Sequence, residues 1–281
     1  MKLMRIGPPG AERPAVLAAD GTPLDLSPIV ADIDASLFGD QLSRVREALD
    51  RGSLDPVRAP GRSGSPLRNI GKIVCVGLNY ADHAAETAQQ LPPEPVLFLK
   101  AADTVIGPDD TVLVPRTSVR TDYEVELAVV IGATARYLDG PSDAPSVIAG
   151  YAISNDVSER DFQLARSGQW DKGKNCETFN PFGPWLVTAD EIPDPQTLGL
   201  RLWVNDELRQ NGTTANMAFG VNHLVWYISQ FMVLHPGDVI NTGTPAGVAL
   251  GRGDTGYLEP GDVVRVEIDG LGSQQQTIGA A

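Results

Sequence analysis

Apolar runs in this chain reach only about seven residues, glycines included, before a polar or turn-forming residue intervenes. A membrane-crossing helix needs roughly twenty. Short runs suit short strands, and the punctuation agrees. The 281 residues include 29 glycines and 22 prolines, which favours many turns and many strands over a helix bundle. The length suits one large or two modest domains and buries a core without disulfide or metal staples. Two cysteines, Cys75 and Cys176, make no disulfide scaffold, and no Cys/His spacing of zinc type is present. Cys75 stands in Ile73-Val74-Cys75-Val76 and reads as a small buried hydrophobe. A reducing, cytoplasmic compartment is the expectation. The opening Met1-Lys2-Leu3-Met4-Arg5 shows no secretory apolar core.

Acids exceed bases 36 to 22, for a net charge of −14. A chain this acidic is a poor partner for nucleic acid or anionic membranes. The surplus carboxylates make a hard cation a fair expectation.

Residues 1–68 read as a small N-terminal α/β domain. Val16-Leu17 and Leu24-Asp25-Leu26 are strand-like around the turn Asp20-Gly21-Thr22-Pro23, and Leu37, Leu42, Val45 and Leu49 fall at helical spacing within 28–51. The breaker-rich stretch Arg58 to Pro66 reads as a linker. Residues 69–281 read as a β-rich α+β domain. Strands are predicted at 72–77, 96–100, 123–132, 147–154 and 200–204. Helices are predicted after Asn79, with Asn79 or Asp82 as cap, from Ser158, and over 218–231. Pro236-Gly237-Asp238-Val239-Ile240 recurs as Pro260-Gly261-Asp262-Val263-Val264, two Pro-Gly turns feeding β-branched strands.

Glu124 and Glu126 stand two apart in the most regular of these runs, so both face one side of a strand, with Asp122 joining them if the strand starts early. Val125, Leu127 and Val129 take the other side. Buried like charges raise one another's pKa unless a cation compensates. An all-carboxylate set selects Mg²⁺, Mn²⁺ or Ca²⁺ over zinc. The plain alternative is a solvated strand face. Asp156, at the end of the run 147–154, is the natural third ligand; a turn or cap residue is its plainer reading. His83 is one of three histidines, and Glu86 three residues on shares its helix face. A carboxylate there can orient the imidazole as a general base, though such pairs also decorate ordinary helices. Lys174, one of five lysines, lies in the polar loop Gln169 to Lys174. It is placed either to meet a carboxylate or a developing oxyanion, or as surface charge. Thr242-Gly243-Thr244-Pro245-Ala246-Gly247 lacks the Lys-Ser/Thr ending of a phosphate-binding loop.

Each signal is small alone, but their order and wording form a pattern. It runs Gly77-Leu78-Asn79-Tyr80-Ala81-Asp82-His83-Ala84-Ala85-Glu86, then Tyr123-Glu124-Val125-Glu126-Leu127, then Asn155-Asp156-Val157-Ser158-Glu159-Arg160-Asp161-Phe162-Gln163. It continues with Gly173-Lys174, Gly183-Pro184-Trp185-Leu186-Val187 and Pro236 to Pro245. The chain resembles the fumarylacetoacetate hydrolase family, in its smaller acylpyruvase or 2-oxo-acid hydratase-like branch. The resemblance implies a catalytic domain built as a mixed β-sandwich roll, paired as a homodimer. It implies Mg²⁺ or Mn²⁺ on Glu124, Glu126 and Asp156, with His83 and Glu86 as a water-activating dyad on a lid helix. Lys174 would stand by the metal and substrate, Arg160 and Gln163 along the pocket, and Gly243 and Thr244 at the substrate carboxylate. Two departures stand out. Asn175-Cys176-Glu177-Thr178 replaces a common Ser-Phe-Asp-Thr, and Glu159 takes a position that is often small.

The implied activity is hydrolysis of a C–C bond in a 2,4-diketo acid: an acylpyruvate, a fumarylacetoacetate-like acid or a 2,4-diketo-3-deoxy sugar acid. The same platform serves oxaloacetate decarboxylation, ureidoglycolate cleavage, and hydration or isomerisation of 2-oxo-enoates. A metal-stabilised binding protein without catalysis has no use for His83, Glu86 and Lys174 together.

Overall fold

Two main sheets, with two short two-stranded ladders beside them, share one core; the predicted runs 72–77, 123–132 and 147–154 supply inner strands of the larger sheet, 96–100 its edge, and 200–204 a strand of the smaller. The structure is a computed structural model and describes residues 1–58, 61–253 and 255–281. In chain order the elements are β1 (Lys2–Ile6), β2 (Arg13–Leu17), β3 (Pro23–Asp25), α1 (Asp40–Asp50), β4 (Ser63–Gly64), β5 (Ile73–Gly77), α2 (Ala81–Glu86) and β6 (Val96–Lys100). Next come β7 (Val105–Ile106), β8 (Val112–Val114), β9 (Thr121–Asp122), β10 (Val125–Ile131), β11 (Ile148–Asn155), β12 (Ser158–Glu159) and the single turn α3 (Asp171–Lys174). The last are β13 (Asn180–Pro181), β14 (Leu186–Thr188), β15 (Gly199–Val204), β16 (Glu207–Thr213), α4 (Val221–Ser229), β17 (Val239–Asn241), β18 (Val263–Ile268) and β19 (Gly272–Ala280).

The larger sheet runs β3-β2-β1-β14-β11-β10-β17-β5-β6, with β4 hung on β1; the smaller runs β16-β15-β18-β19-β8. Pairing is mixed: β10 is antiparallel to β11 and β17, while β17 is parallel to β5. This is the β-rich α+β roll the sequence led us to expect. Among the described residues no helix is long and apolar enough to cross a membrane.

β10 shows why the sheet stands where it does. Val125, Leu127 and Val129 pack with Leu200, Leu202, Val264 and Val266 of the smaller sheet. Ala128 and Val130 point the opposite way, into a second cluster with Leu3, Val16, Ile33 and Val45. A strand covered on both faces reads as a continuous apolar run.

Residues 1–68 are hydrogen-bonded into this sheet through the β1–β14 pairing. Of the predicted linker, Ala59 and Pro60 lie outside the described residues, and Ser63–Gly64 is strand β4 against β1. A buried ion network ties the segment down. Asp32 accepts from Arg5 Nε at 2.7 Å, Arg68 Nη1 at 3.0 Å and its neighbour's amide, Ile33 N, at 2.8 Å. Arg5 also reaches Glu12 at 3.3 Å. Removing one member of a buried pair strands the other. Asp32→Ala is expected to cost about 3 kcal/mol or more, read by denaturant unfolding. A loss under about 1 kcal/mol would match an exposed pair instead.

Three local expectations are corrected. No helix starts at Ser158: Ser158–Glu159 pairs with Thr121–Asp122, because the Glu159 carboxylate collects the Thr121 hydroxyl at 3.1 Å and the Arg120 amide at 3.2 Å. A short π-helical turn follows at Asp161–Ala165. Helicity within 28–51 is confined to a 3₁₀ turn at Ala35–Leu37, capped by Asp34, and to α1. Neither Asn79 nor Asp82 caps α2, whose N-cap is Tyr80. Asn79 instead bonds Phe219 N, Phe219 O and Thr242 O, tying the start of α2 to two other loops. The two Pro-Gly-Asp turns share one geometry, each aspartate accepting from the amide three residues back, but they feed different sheets.

Candidate active site

β5, β11 and β17 run the same way and end together beside the start of β10. Register does the rest. Val125 faces Asn155, Asp156 N donates to Glu124 O at 2.9 Å, and Asn155 Oδ1 accepts from Glu124 N at 3.1 Å. Glu124, Glu126 and Asp156 therefore converge, with ligand oxygens within 4.8 Å of one another. The solvated-face alternative does not hold: Glu124 is 5% exposed, Glu126 2% and Asp156 0%. Asp122 is near in sequence but serves elsewhere. Its carboxylate accepts from Tyr123 N, Ala249 N, Leu250 N and Arg160 Nε.

Three buried cations answer the acids. Lys174 Nζ lies 2.8 Å from both Glu124 Oε2 and Asp156 Oδ2. Arg160 donates to Glu124 Oε1 at 2.7 Å, Asp122 Oδ2 at 2.8 Å and Gln163 Oε1 at 2.9 Å. Lys100 bonds Asp156 Oδ1 at 2.6 Å and Val157 O at 3.1 Å. Sequence reasoning reached Lys174 and the acids, took Arg160 and Gln163 from the resemblance, and missed Lys100. A lysine closing the apolar run Val96-Leu97-Phe98-Leu99 was the available signal.

Burial pushes the Glu124 carboxyl up, but Lys174 and Arg160 outweigh it and bring it down to about 2. Glu126 is buried against Asp156 and Glu124 and sits well above its ordinary 4.5. Burial lowers the Lys174 ammonium, yet Asp156 and Glu124 leave it raised. A compact, buried, all-oxygen group that holds one proton too many for its surroundings fits a divalent cation. Glu124, Glu126 and Asp156 would hold it.

His83 and Glu86 lie on α2, Nδ1 to Oε2 being 3.7 Å, and the buried Nδ1 has no hydrogen-bond partner. Burial of Glu86 is outweighed by His83 and the Gly247 amide, which keep its carboxyl below the ordinary value. His83, Glu124, Glu126, Arg160, Gln163, Lys174, Gly243 and Thr244 line one pocket, with Asp156 behind Lys174. Gly243 N donates to Glu126 Oε2 at 2.7 Å, and the Thr244 hydroxyl to Val125 O at 2.9 Å. Gly243 has φ of +94°, and a Cβ there would come within 2.9 Å of Asn79 Cβ, so the turn requires glycine.

The chain is similar to known proteins over its whole length. The family description "Fumarylacetoacetate (FAA) hydrolase C-terminal" matches residues 72–279. A protein of Burkholderia multivorans is 50% identical over 283 residues, all of both chains. The solved fumarylacetoacetate hydrolase of Exiguobacterium antarcticum superposes with a TM-score of 0.87 at 36% identity, covering 100% of each chain. The 2-hydroxyhepta-2,4-diene-1,7-dioate isomerase of Mycobacterium marinum does so at 0.77 and 33%, covering 100% of this chain and 98% of that one. By the match over residues 72–279 and these full-length likenesses, the chain belongs to the fumarylacetoacetate hydrolase family.

Proposed function

We propose that the protein is a Mg²⁺- or Mn²⁺-dependent hydrolase cleaving the C3–C4 bond of a 2,4-diketo acid of the acylpyruvate kind. The observation that carries this reading is the buried Glu124, Glu126 and Asp156 group, with His83 on the same pocket. A divalent cation held there would supply Lewis-acid chemistry to a 2-oxo acid. His83, oriented by Glu86, takes a proton from the water that adds to C4. Lys174 steadies the oxygen on which charge develops. The C3–C4 electron pair then passes to C3, which takes up a proton, and pyruvate leaves with the carboxylic acid of the acyl part. Arg160 and Gln163 hold the Glu124 side of the pocket, and Gly243 and Thr244 border the substrate carboxylate.

The isomerase among the full-length likenesses favours a second reading, proton transfer between carbons of a 2-oxo-enoate on the same site. Water separates the two. In H₂¹⁸O, hydrolysis puts solvent oxygen into the released acid, and isomerisation does not. The direct test is turnover of acetylpyruvate, fumarylpyruvate, oxaloacetate, ureidoglycolate and a 2,4-diketo-3-deoxy sugar acid, each with Mg²⁺ and with EDTA. The expected result is cleavage of a diketo acid that EDTA removes and added Mg²⁺ restores. Turnover confined to oxaloacetate or ureidoglycolate would replace hydrolase by lyase.

A further inference from the structure

The carboxylate end of such a substrate belongs beside the acidic group; the other pocket walls decide its acyl end. Those walls are apolar except for Thr87 and the exposed Gln89. Phe98 and Trp170 meet edge to face, ring centroids 5.5 Å apart, and Phe98 lies 5.1 Å from Lys174 Nζ. Trp170 packs over Gly77, where a Cβ would come within 2.4 Å of the indole, so the ring is seated directly on the end of β5. Leu78, Leu164 and Leu250 complete the wall. Leu164 remains 43% exposed at the mouth, and Leu250 N shares the Asp122 carboxylate with Arg160, which sets it next to the buried charges.

Among the described residues lining this pocket the only permanent cations are Arg160 and Lys174. Both are committed: Arg160 to Asp122, Glu124 and Gln163, and Lys174 to Glu124 and Asp156. A second carboxylate at the far end of a substrate would lose water against Phe98, Trp170 and the leucines with no cation to receive it, a costly exchange. Hydroxyl groups fare little better. The Thr87 and Thr244 hydroxyls donate to His83 O and Val125 O. In the loop Gln169 to Lys174, Gln169 bonds Asp171 and Lys172 bonds Arg166 O, while Trp170 and the committed Lys174 are the residues it sends to the pocket.

We infer, building on the reading of the site as one for a 2,4-diketo acid, that the acyl end is apolar. The substrate class is the monocarboxylic acylpyruvates with an alkyl or aryl acyl group. Diketo acids with a second terminal carboxylate, or with a hydroxylated chain, are poor substrates. The chain thus departs from the isomerase above, whose "-dioate" substrate name carries two carboxylates.

A matched pair tests this. 4-Methylpentanoylpyruvate and succinylpyruvate differ only in an isopropyl against a carboxylate terminus. With the Mg²⁺-loaded enzyme, kcat/KM for the first is expected to exceed the second by about 100-fold or more. Binding is read separately by calorimetry with two acids lacking the C4 keto group and so not cleavable, 6-methyl-2-oxoheptanoate and 2-oxoadipate. Tighter binding of 6-methyl-2-oxoheptanoate with no cleavage of either diketo acid would end the hydrolase reading and leave the apolar end standing. Equal or tighter binding of 2-oxoadipate overturns the inference whether or not cleavage occurs. Leu164→Arg puts a cation at the mouth and is expected to narrow the cleavage ratio about tenfold; an unchanged ratio would place the acyl end elsewhere.

Discussion

Alanine in place of His83 is expected to lower kcat by about 10²- to 10⁴-fold and to leave Mg²⁺ affinity unchanged. The two halves of that result come from different parts of the site. His83 is not among the three converging carboxylates, so its loss takes away no ligand. It does remove the one imidazole lining the pocket among the described residues. That imidazole is poised by its surroundings. Its Nδ1 is buried without a hydrogen bond, 3.7 Å from a Glu86 carboxylate that the Gly247 amide pins at 2.9 Å. Glu86 is wedged as well, since a Cβ on Gly251 would come within 2.2 Å of its carboxyl carbon. Steady-state kinetics and calorimetric Mg²⁺ titration of the same preparation check both halves. Wild-type turnover in the variant would sink the base assignment, and lost Mg²⁺ binding would make His83 part of the metal site.

Glu126→Gln is expected to have opposite effects on stability and on activity. In the metal-free fold Glu126 is buried beside Asp156 and Glu124 and keeps its proton well above the ordinary 4.5. The folded state then binds more protons than the unfolded one. Stability of the metal-free protein therefore falls as pH rises past 4.5, until Glu126 ionises within the fold. Glutamine has the same shape and nothing to ionise, so in EDTA at neutral pH the variant should unfold later than the wild type and lose this pH slope. The same change removes a charged oxygen from the acidic group. Saturating Mg²⁺ at about 100 times Kd should stabilise the wild type by about 2.7 kcal/mol and the variant by little, with turnover at the EDTA baseline. Thermal unfolding with and without Mg²⁺ reads both arms. A variant that melts earlier in EDTA, or gains as much from Mg²⁺, would contradict the role given to Glu126.

The carboxylates were legible because strand periodicity is a local rule. Two residues apart in a β run means one face, and Glu124 and Glu126 obey it although Glu124 stands one residue before β10. Asp156 was legible as a residue type at a strand end, but its approach to Glu124 is a matter of β10–β11 register, which no spacing encodes. Lys100 was hidden for the opposite reason. A lysine ending a strand looks like a solvated terminus, and only the folded sheet shows its ammonium buried against Asp156. Ser158 misled because an acid and a hydroxyl after a turn read as a helix start, whereas Glu159 spends its carboxylate on the 118–121 loop. The small N-terminal unit was read from the breaker-rich stretch Arg58 to Pro66, and β1 joins the common sheet through β14, Leu3 facing Leu186, 183 residues away.

The ends of β5, β11 and β17 beside the start of β10 have an evolutionary consequence. The acidic group rides on the strand ends of the sheet, while the pocket walls at Leu78, Leu164, Trp170 and Leu250 ride on the connections between strands. Connections tolerate replacement far better than central strands do. New substrate preferences can therefore be sampled by varying these walls alone, with the acidic group and its buried counter-charges carried through unchanged. One sheet can serve as the common ancestor of hydrolases and isomerases without its chemistry being rebuilt each time.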